Sequence, residues 1–420
     1  MTIATKNIQL SLILKSPLLD STGEQLGKVK DLIVRLDEHP HPPVSGILAK
    51  IGSRELFVPI GQVASIEPGR VQLRAETLNL RRFERREREL LLARDLSTHH
   101  LINIVGARLV RANEIEISNV DGRWEVVGVD PSPRPLLAKL LPGLKSSNST
   151  ESLVDWASIE PFVSHVPTAK LRIPYRKLAK LHPAQIADLV EAASHEEGEE
   201  IIEAVGQDLE LEADVFEELD RDHQLEFINS RSNKDAVSLL SKMKADDVAD
   251  LIVDVDQERR LILLDMLPDS QRAKVRNLLN YHPQTAGGLM SPDFLYMPEA
   301  ASVEQALENI SSNPAAPESL AVVFVYGDET KLSGAVGVIQ LLKSPRHYSL
   351  KEVVQNAPAF VTPDVDIHII MRTMADYNLT VLPVVNDDLR VIGIITVDDL
   401  LEQLLPEGWR RDFRMSTDQE

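Results

Sequence analysis

The chain has 420 residues, of which 43% are hydrophobic and 26% charged, and its formal net charge is -20 at pH 7. This length predicts several domains with the composition of an ordinary soluble protein, and the acidic balance disfavours nucleic acid as a partner. The absence of cysteine excludes disulfides and thiolate chemistry, and no apolar run approaches the ~18–20 residues that span a bilayer.

The first third of the chain contains an internal repeat. Residues 64–68 read Ala-Ser-Ile-Glu-Pro, and residues 157–161 repeat the same five letters. Upstream, the segments 27–34 and 106–111 also correspond. Each copy consists of short alternating runs that are broken by Gly, Pro and Asp, a pattern that predicts a small barrel or sandwich.

Gly-bounded strands that close on an Ile-Glu-Pro turn resemble a PRC-barrel domain, here duplicated. The resemblance implies PRC-barrel-like β domains at residues 6–85 and 86–170, the second interrupted by a Pro- and Ser-rich loop at residues 131–150. Such domains occur in unrelated contexts, so they assign no function. A basic run at residues 81–88 is interleaved with Glu and predicts a solvated helix with i,i+4 ion pairs.

From about Leu178 to Asn280 the hydrophobic period becomes helical, and short units open with Pro, Asp or Ser. The segment 186–190 is echoed by 248–252. Repeated short helices of this kind predict a small α-solenoid over residues 172–282. Its acidic residues are dense enough to destabilise one face until a cationic partner arrives.

The end of the chain has the pattern of a strand, a hairpin turn, a second strand and a helix. Thr396 can cap that helix, and Asp398 and Asp399 suit its positive end. The spacing Gly393-x-x-Thr396-x-x-Asp399 resembles the ribose-binding signature of a CBS repeat, a module that occurs in pairs. The pair is expected at residues 283–346 and 347–407, and a tail at 408–420 follows.

The segment at residues 281–292 joins the helical part to the CBS pair. It contains Tyr281 followed by Ala-Gly-Gly-Leu-Met-Ser-Pro, and it resembles the junction in the cytosolic half of MgtE-type magnesium transporters. The resemblance covers about residues 178–405 and implies a multidomain α+β chain. Its parts are PRC-barrel-like β domains, an all-α superhelix similar to the MgtE N domain, and an α/β CBS pair. Because this chain ends at Glu420, we expect the sensor part without the membrane domain.

The resemblance also implies a magnesium site. Residue by residue, it places metal ligands at Asp214, Asp246 and Asp250 in the helical domain and at Asp399 and Glu402 on the last CBS helix. All five are carboxylates, which suit a hard cation. Facing carboxylates would repel without the ion and attract through it, so ion binding would favour a closed state. The alternative is that these are exposed acids that stabilise helix N-termini.

Two departures from the transporters limit the analogy. Arg410 and Arg411 stand where the family carries further acids, so one family ion site is expected to be lost. His368 and Asn378 replace pore-facing carboxylates, whereas Asp366 is retained. Loss of pore-facing ligands agrees with a chain that lacks a pore.

An adenine nucleotide, ATP or AMP, is the second expected ligand. Thr396 and Asp399 fit the ribose-binding positions of the second CBS repeat. In the first repeat, Gly337 and Gln340 replace the expected Ser and Asp, which indicates a degraded site. The alternative for Thr396 is an N-cap role alone.

The sequence therefore predicts a cytoplasmic, non-enzymatic Mg2+ sensor, with peripheral contact to the inner membrane as an option. It contains no phosphate loop, no nucleophile elbow and no histidine spacing of a zinc site. The expected partners are a second copy, bound through the CBS pair, and a separately encoded membrane metal transporter. Two alternatives stay open: a nucleotide-responsive CBS and PRC-barrel scaffold for a membrane or ribonucleoprotein complex, and a subunit of a larger metal-transporting membrane assembly.

Overall fold

The structure is a computed structural model, and it describes residues 7–36, 39–75, 81–86, 88–97, 99–132, 153–162, 177–206, 208–354 and 358–404. The chain divides into two compact units, Met1–Glu218 and Leu219–Glu420. The division falls within the helical region, so each unit contains part of that region.

The first unit opens with two leading elements, β1 (Ile8–Gln9) and α1 (Leu10–Ile13). The first β copy follows, with β2 (Pro17–Leu19), β3 (Gln25–Arg35), β4 (Val44–Ile51), β5 (Arg54–Pro59), β6 (Val63–Glu67), β7 (Arg70–Leu73) and β8 (Arg81–Arg82), and β9 (Glu89–Leu91) then leads into the second copy. One sheet has the strand order β6-β7-β2-β3-β4-β5-β8, and β9 pairs on β3. The strand-rich pattern predicted for this segment is confirmed.

The second copy follows a π-helical turn at Leu92–Leu96. Its strands are β10 (His100–Asn103), β11 (Arg108–Arg111), β12 (Glu114–Val120), β13 (Arg123–Asp130), β14 (Val154–Asp155) and β15 (Ile159–Pro161). They form the sheets β1-β12-β13-β14 and β11-β10-β15. In both Ala-Ser-Ile-Glu-Pro repeats, Ile-Glu lies in a strand that follows a 3-10 turn, but Ala157 and Ser158 belong to the turn whereas Ala64 and Ser65 belong to β6. Most of the loop predicted at residues 131–150 lies outside the described residues.

The two copies exchange their leading strands. The strand that precedes copy one, β1, pairs with β12 of copy two, whereas β9, which precedes copy two, pairs with β3 of copy one. The registers place Ile8 opposite Ile117 and Ile33 opposite Leu91. One hydrophobic core cluster contains buried residues of both copies, from Ile8 to Ile159. The duplicated segment is therefore one intertwined β unit.

Buried carboxylates reinforce this exchange. Asp31 on β3 accepts hydrogen bonds from the backbone N–H groups of Ala93, at 2.8 Å, and Arg94, at 2.9 Å, in the turn before copy two. Glu114 on β12 accepts a 3.0 Å bond from the N–H of Ser11, in the helix before copy one. Burial raises the pKa of Asp31 to about 6, although these N–H groups favour its ionised form. Each copy thus caps the turn that leads into the other.

The basic run does not form the predicted solvated helix. Arg81 and Arg82 form the short strand β8, and Arg85 makes a 2.9 Å ion pair with the buried Asp95. The prediction was wrong because the partner of Arg85 lies ten residues away in the π-helical turn. An i,i+4 pattern does not detect such a partner.

Short helices follow, as the sequence predicts. They are α2 (Pro183–Ala192), α3 (His195–Val205) and α4 (Leu209–Glu217) in the first unit, and α5 (Arg221–Ser230), α6 (Asn233–Leu240), α7 (Ala245–Asp254), α8 (Gln257–Met266) and α9 (Asp269–Leu278) in the second. The echoed apolar residues Ile186 and Val248 are both fully buried. Side chains cap several of the helices, for example Ser194 on α3 and Ser232 on α6.

The CBS pair completes the second unit. After α10 (Ala286–Leu289), its first repeat comprises β16 (Leu295–Pro298), α11 (Val303–Ser312), β17 (Val322–Tyr326), β18 (Leu332–Gly337) and α12 (Val338–Lys343). After α13 (Leu350–Val353), the second comprises α14 (Ile367–Tyr377), β19 (Val381–Val385), β20 (Val391–Thr396) and α15 (Val397–Leu404). The strands β19 and β20 form the predicted hairpin.

The chain is therefore a multidomain α+β protein with a β-rich region, a helical region and a C-terminal CBS pair. The domain boundaries and the PRC-barrel assignment of the β-rich region stay predictions. Among the residues that the structure describes, no helix combines the length and the apolar character needed to cross a bilayer.

Candidate functional site

The junction at residues 281–292 requires its two glycines. A Cβ on Gly287 would lie 2.4 Å from the ring of Tyr281, and one on Gly288 would lie 2.4 Å from the carbonyl oxygen of His282. Real Cβ contacts are not this close. The Tyr…Ala-Gly-Gly pattern is thus explained by a tight turn that packs on its own aromatic residue.

The junction also docks on the second CBS repeat. Ser291 and Ile394 exchange backbone hydrogen bonds of 2.8 and 2.9 Å, so Ser291 extends the edge of β20. Met290 packs over Gly393, where an added Cβ would approach its sulfur to 2.6 Å. The Gly393 of the CBS signature therefore provides space for the methionine of the junction.

The start of α7 contacts this extended strand. Asp246, in the first turn of α7, accepts a 3.3 Å hydrogen bond from the hydroxyl of Ser291. Lys274 on α9 forms an ion pair with Asp293, two residues further along the junction. Both contacts lie within the second compact unit. They fix this part of the helical region against the CBS pair.

Lys244 adds a cation to the same place. It is the N-cap residue of α7, and its ammonium lies 3.3 Å from a carboxylate oxygen of Glu318 in the first CBS repeat. The same ammonium is close enough to Asp399, in the second repeat, to lower the pKa of that carboxyl. One lysine therefore connects α7 electrostatically to both repeats.

Asp399 and Thr396 cap α15 reciprocally. The carboxylate of Asp399 accepts a 2.7 Å hydrogen bond from the N–H of Thr396, and the hydroxyl of Thr396 accepts a 3.3 Å bond from the N–H of Asp399. Burial raises the pKa of Asp399, while Thr396 and Lys244 oppose that rise and Asp398 adds to it. The N-cap alternative for Thr396 is thus realised in the structure.

The other predicted metal ligands have different surroundings. Asp250 lies one turn beyond Asp246 on α7; although it keeps an exposed surface, desolvation raises its pKa and Arg221 opposes the rise. Asp214 lies on α4 in the first unit. Glu402 belongs to α15, but its side chain lies outside the described residues. Within the described part of the chain, no three His, Asp or Glu side chains converge as a metal site would require.

The donor chemistry at the junction nevertheless suits Mg2+. Asp246 and Asp399 supply carboxylate oxygens, and Ser291 supplies a hydroxyl. Mg2+ uses one or two carboxylates and retains several waters, so it does not need a complete protein cage. The sequence did not single out Lys244, Ser291 or Glu318. A lysine at an N-cap, where Ser, Thr, Asp or Asn is usual, was the signal for Lys244.

In the first CBS repeat, residues at positions that correspond to the ribose-binding signature contact the end of α13 and the residue after it. The amide of Gln340 donates a 2.7 Å hydrogen bond to the carbonyl of Val353. At Gly334, an added Cβ would lie 2.3 Å from the side chain of Val354. In the second repeat, Thr396 is buried and both it and Asp399 take part in the helix cap.

The retained Asp366 and the departure Asn378 lie at the two ends of α14 and have local structural roles. Asp366 caps the helix by accepting a 2.9 Å bond from the N–H of His368. Asn378 ends the helix with a φ of 51°, in the left-handed region. Asn tolerates that conformation better than most residues, so the amide at this position has a local explanation.

An apolar groove lies between α14 and α15. It encloses about 320 Å3 and is lined by Met371, Met374, Ala375, Asn378, Leu379, Val397, Leu400, Leu401 and Leu404. Thr396 and Asp399 do not line it, so it is separate from the expected ribose position. Several of its side chains are exposed, with Leu401 at 50% and Leu404 at 47%.

Comparison with known proteins agrees with this architecture. The MgtE intracellular N domain matches residues 181–284, and the CBS domain matches residues 350–406. These matches, together with the fold, define a chain that carries an MgtE N domain and a C-terminal CBS pair.

The particular relatives are magnesium transporters. The magnesium transporter MgtE of Thermus thermophilus is 30% identical over 199 residues, which are 47% of this chain and 44% of the relative. MgtE of Bacillus subtilis is 25% identical over 195 residues, 46% of this chain and 43% of the relative. The chain spans less than half the length of these two relatives.

Solved structures match the same region. The crystal structure of the cytosolic domain of the Mg2+ channel MgtE in complex with ATP has 27% sequence identity and a TM-score of 0.51, covering 54% of this chain and 92% of that one. The soluble part of a magnesium transporter has 19% identity and a TM-score of 0.50, covering 55% and 90%, and shows the fold alone. The predicted resemblance to the cytosolic part of MgtE is confirmed.

Proposed function

We propose that this protein is a Mg2+-responsive regulatory module in which a divalent ion strengthens the docking of the helical region on the CBS pair. One observation carries the proposal: the first turn of α7 lies beside β20, the strand that leads directly into α15. Asp246 accepts a hydrogen bond from Ser291, which pairs with β20. Lys244, two residues before Asp246, lowers the pKa of Asp399 by its positive charge.

The mechanism is electrostatic. Acidic side chains in both first turns are compatible with helix N-termini, but without an ion between them they would repel one another. A divalent ion between Asp246 and Asp399, with water completing its shell, would convert that repulsion into attraction. Asp250, one turn further along α7, is a further candidate ligand, and the Asp214 and Glu402 ligands that the resemblance implies stay predictions. Because water-retaining ion contacts are weak, the response would fall in the range of free cytosolic Mg2+.

Limited proteolysis of the full chain tests this proposal. Mg2+ should slow cleavage of the wild type in the millimolar range, at constant ionic strength so that general screening does not contribute. Asp246→Asn and Asp399→Asn keep an oxygen for the Ser291 and Thr396 bonds and remove the charge. We expect each to raise the half-protecting Mg2+ concentration by about tenfold or more.

Asp222→Asn is the matched control, since Asp222 is an exposed first-turn acid on α5. It should titrate like the wild type. If Mg2+ does not protect the wild type, or if both junction variants titrate like Asp222→Asn, the proposed function is wrong.

ATP or AMP is the second candidate ligand. The relative whose structure was solved with ATP, and the Thr396 and Asp399 positions, support this role. In the same assay, protection by ATP without any effect of Mg2+ would favour the nucleotide-responsive scaffold over the Mg2+ sensor.

We further propose that the protein acts in the cytoplasm and is not an enzyme. Its output would be passed to a membrane metal transporter, in keeping with the matched MgtE relatives. It would also pair with a second copy through the apolar groove of α14 and α15. The net charge of -20 makes nucleic acid an unsuitable partner.

A further inference from the structure

Lys244 is an unfavourable residue type for the helix position that it occupies. It occupies the N-cap of α7 in an extended conformation and makes no side-chain cap bond. Serine caps α3 and α6, and aspartate caps α4 and α5. A cation at this end also opposes the helix dipole. A residue that breaks a local rule indicates a compensating tertiary role.

Its tertiary surroundings supply that role. The ammonium lies 3.3 Å from Glu318, in the segment that precedes β17, and lowers the pKa of the half-buried Asp399 of α15. Asp246 and Asp247 follow directly in the first turn of α7. One tethered positive charge is therefore paired with Glu318 of the first CBS repeat, influences Asp399 of the second, and precedes two acids of α7.

We propose that Lys244 is a built-in cation that holds the helical region on the CBS pair without a metal ion and competes with the divalent ion for the junction carboxylates. This inference rests on the proposed Mg2+ response, which it refines by naming the residue that sets the concentration range. A tethered charge is present at high effective concentration. Mg2+ must therefore displace the ammonium or bind beside it, and both raise the concentration required.

The test uses the full chain and the hydrogen exchange of amides in α7 and α15. Lys244→Gln removes the charge and keeps most of the side-chain length, whereas Lys244→Arg keeps the charge. Lys234→Gln makes the same change at an exposed position on α6. Exchange is followed in a chelator and across a Mg2+ titration at fixed ionic strength. Thermal unfolding checks that each variant is folded.

In the chelator, we expect Lys244→Gln to exchange about threefold to fivefold faster than the wild type in both helices, because a half-exposed ion pair is lost. The exchange rates of Lys244→Arg and Lys234→Gln should stay within about twofold of the wild-type rate. Added Mg2+ should restore protection in Lys244→Gln, with a midpoint below that of the wild type because the competitor is gone.

The outcomes separate the two proposals. If Lys244→Gln exchanges like the wild type in the chelator, the built-in cation is overturned, whatever Mg2+ does to the wild type. If Lys244→Gln exchanges faster in the chelator but Mg2+ does not restore its protection, Lys244 does hold the helical region on the CBS pair. In that case the proposed Mg2+ response is wrong. A midpoint that rises rather than falls would overturn competition between the two cations.

Discussion

Glu160 on β15 shows how one buried carboxylate can govern stability. It is 6% exposed, and burial raises its pKa to about 7 against the partial opposition of the nearby Lys177 ammonium. Lys177 itself donates a 2.8 Å bond to the carbonyl of Ile159. The folded protein therefore favours the neutral acid.

The sign of the pH dependence follows from this pKa. The unfolded value is 4.5, so the stabilisation is complete below about pH 4.5 and is lost as pH rises through 7. We expect Glu160→Gln to raise the free energy of unfolding at pH 8 by about 1–3 kcal/mol, since the amide cannot ionise. Urea denaturation at pH 4.5 and pH 8 measures the difference, which should nearly vanish at the lower pH.

Glu196→Gln is the control for this prediction, because Glu196 is exposed on α3. It should change the unfolding free energy by less than about 0.5 kcal/mol at both pH values. Equal destabilisation by Glu160→Gln at pH 4.5 and pH 8 would show that the carboxyl is not held neutral.

At the same scale, sequence reasoning could predict Thr396 and Asp399 because their cap is local and spans four residues. Lys244 and Ser291 could not be predicted in this way. Their partners, Glu318 and Asp246, are 74 and 45 residues distant in sequence. Charge and hydrogen-bond partners at such separations depend on tertiary packing, which short patterns do not encode.

Among the elements, the junction before the CBS pair is the most constrained. A Cβ on Gly288 would meet the backbone of His282 and Pro283, which cannot move aside as a flexible side chain can. At Gly337, the nearest atom is 4.0 Å away and the backbone angles suit any residue. These two glycines of the same unit therefore differ sharply in their tolerance of a methyl group.

We expect Gly288→Ala to lower the free energy of unfolding of the second unit by about 1–3 kcal/mol, through overpacking against the backbone. Gly337→Ala should change it by less than about 0.5 kcal/mol, because the restriction of the unfolded chain offsets the poorer N-cap of α12. Thermal and urea unfolding compare the two variants. Similar stabilities would mean that the junction turn can relax, contrary to the geometry described.

Strand pairing in the β unit marks the limit of sequence reasoning at this scale. Alternation and turn residues identify the strands, and the Ala-Ser-Ile-Glu-Pro repeat identifies the two copies. They do not reveal that β1 pairs with β12 and β9 with β3. Because the copies are alike, each leading strand has equivalent edges in both, and long-range packing selects between them.

For the molecule as a whole, the order of modules could be predicted because the junction and the hairpin have specific local chemistry. Tyr281, the glycine pair and Met290 are spaced to pack on one another and on Gly393. The association of copies is a different kind of property. It depends on which apolar surfaces stay exposed after folding, and the structure identifies the groove between α14 and α15.

The groove predicts self-association through the CBS pair. We expect the wild type to sediment as a dimer, and Leu401→Glu to weaken dimerisation by at least about tenfold because it places a charge in an apolar interface. Val105→Glu makes the same change at a side chain that is 85% exposed in the first unit, and should sediment like the wild type. Analytical ultracentrifugation across a concentration series measures both. A monomeric wild type, or a Leu401→Glu variant that dimerises as tightly as Val105→Glu, would show that this groove is not the interface.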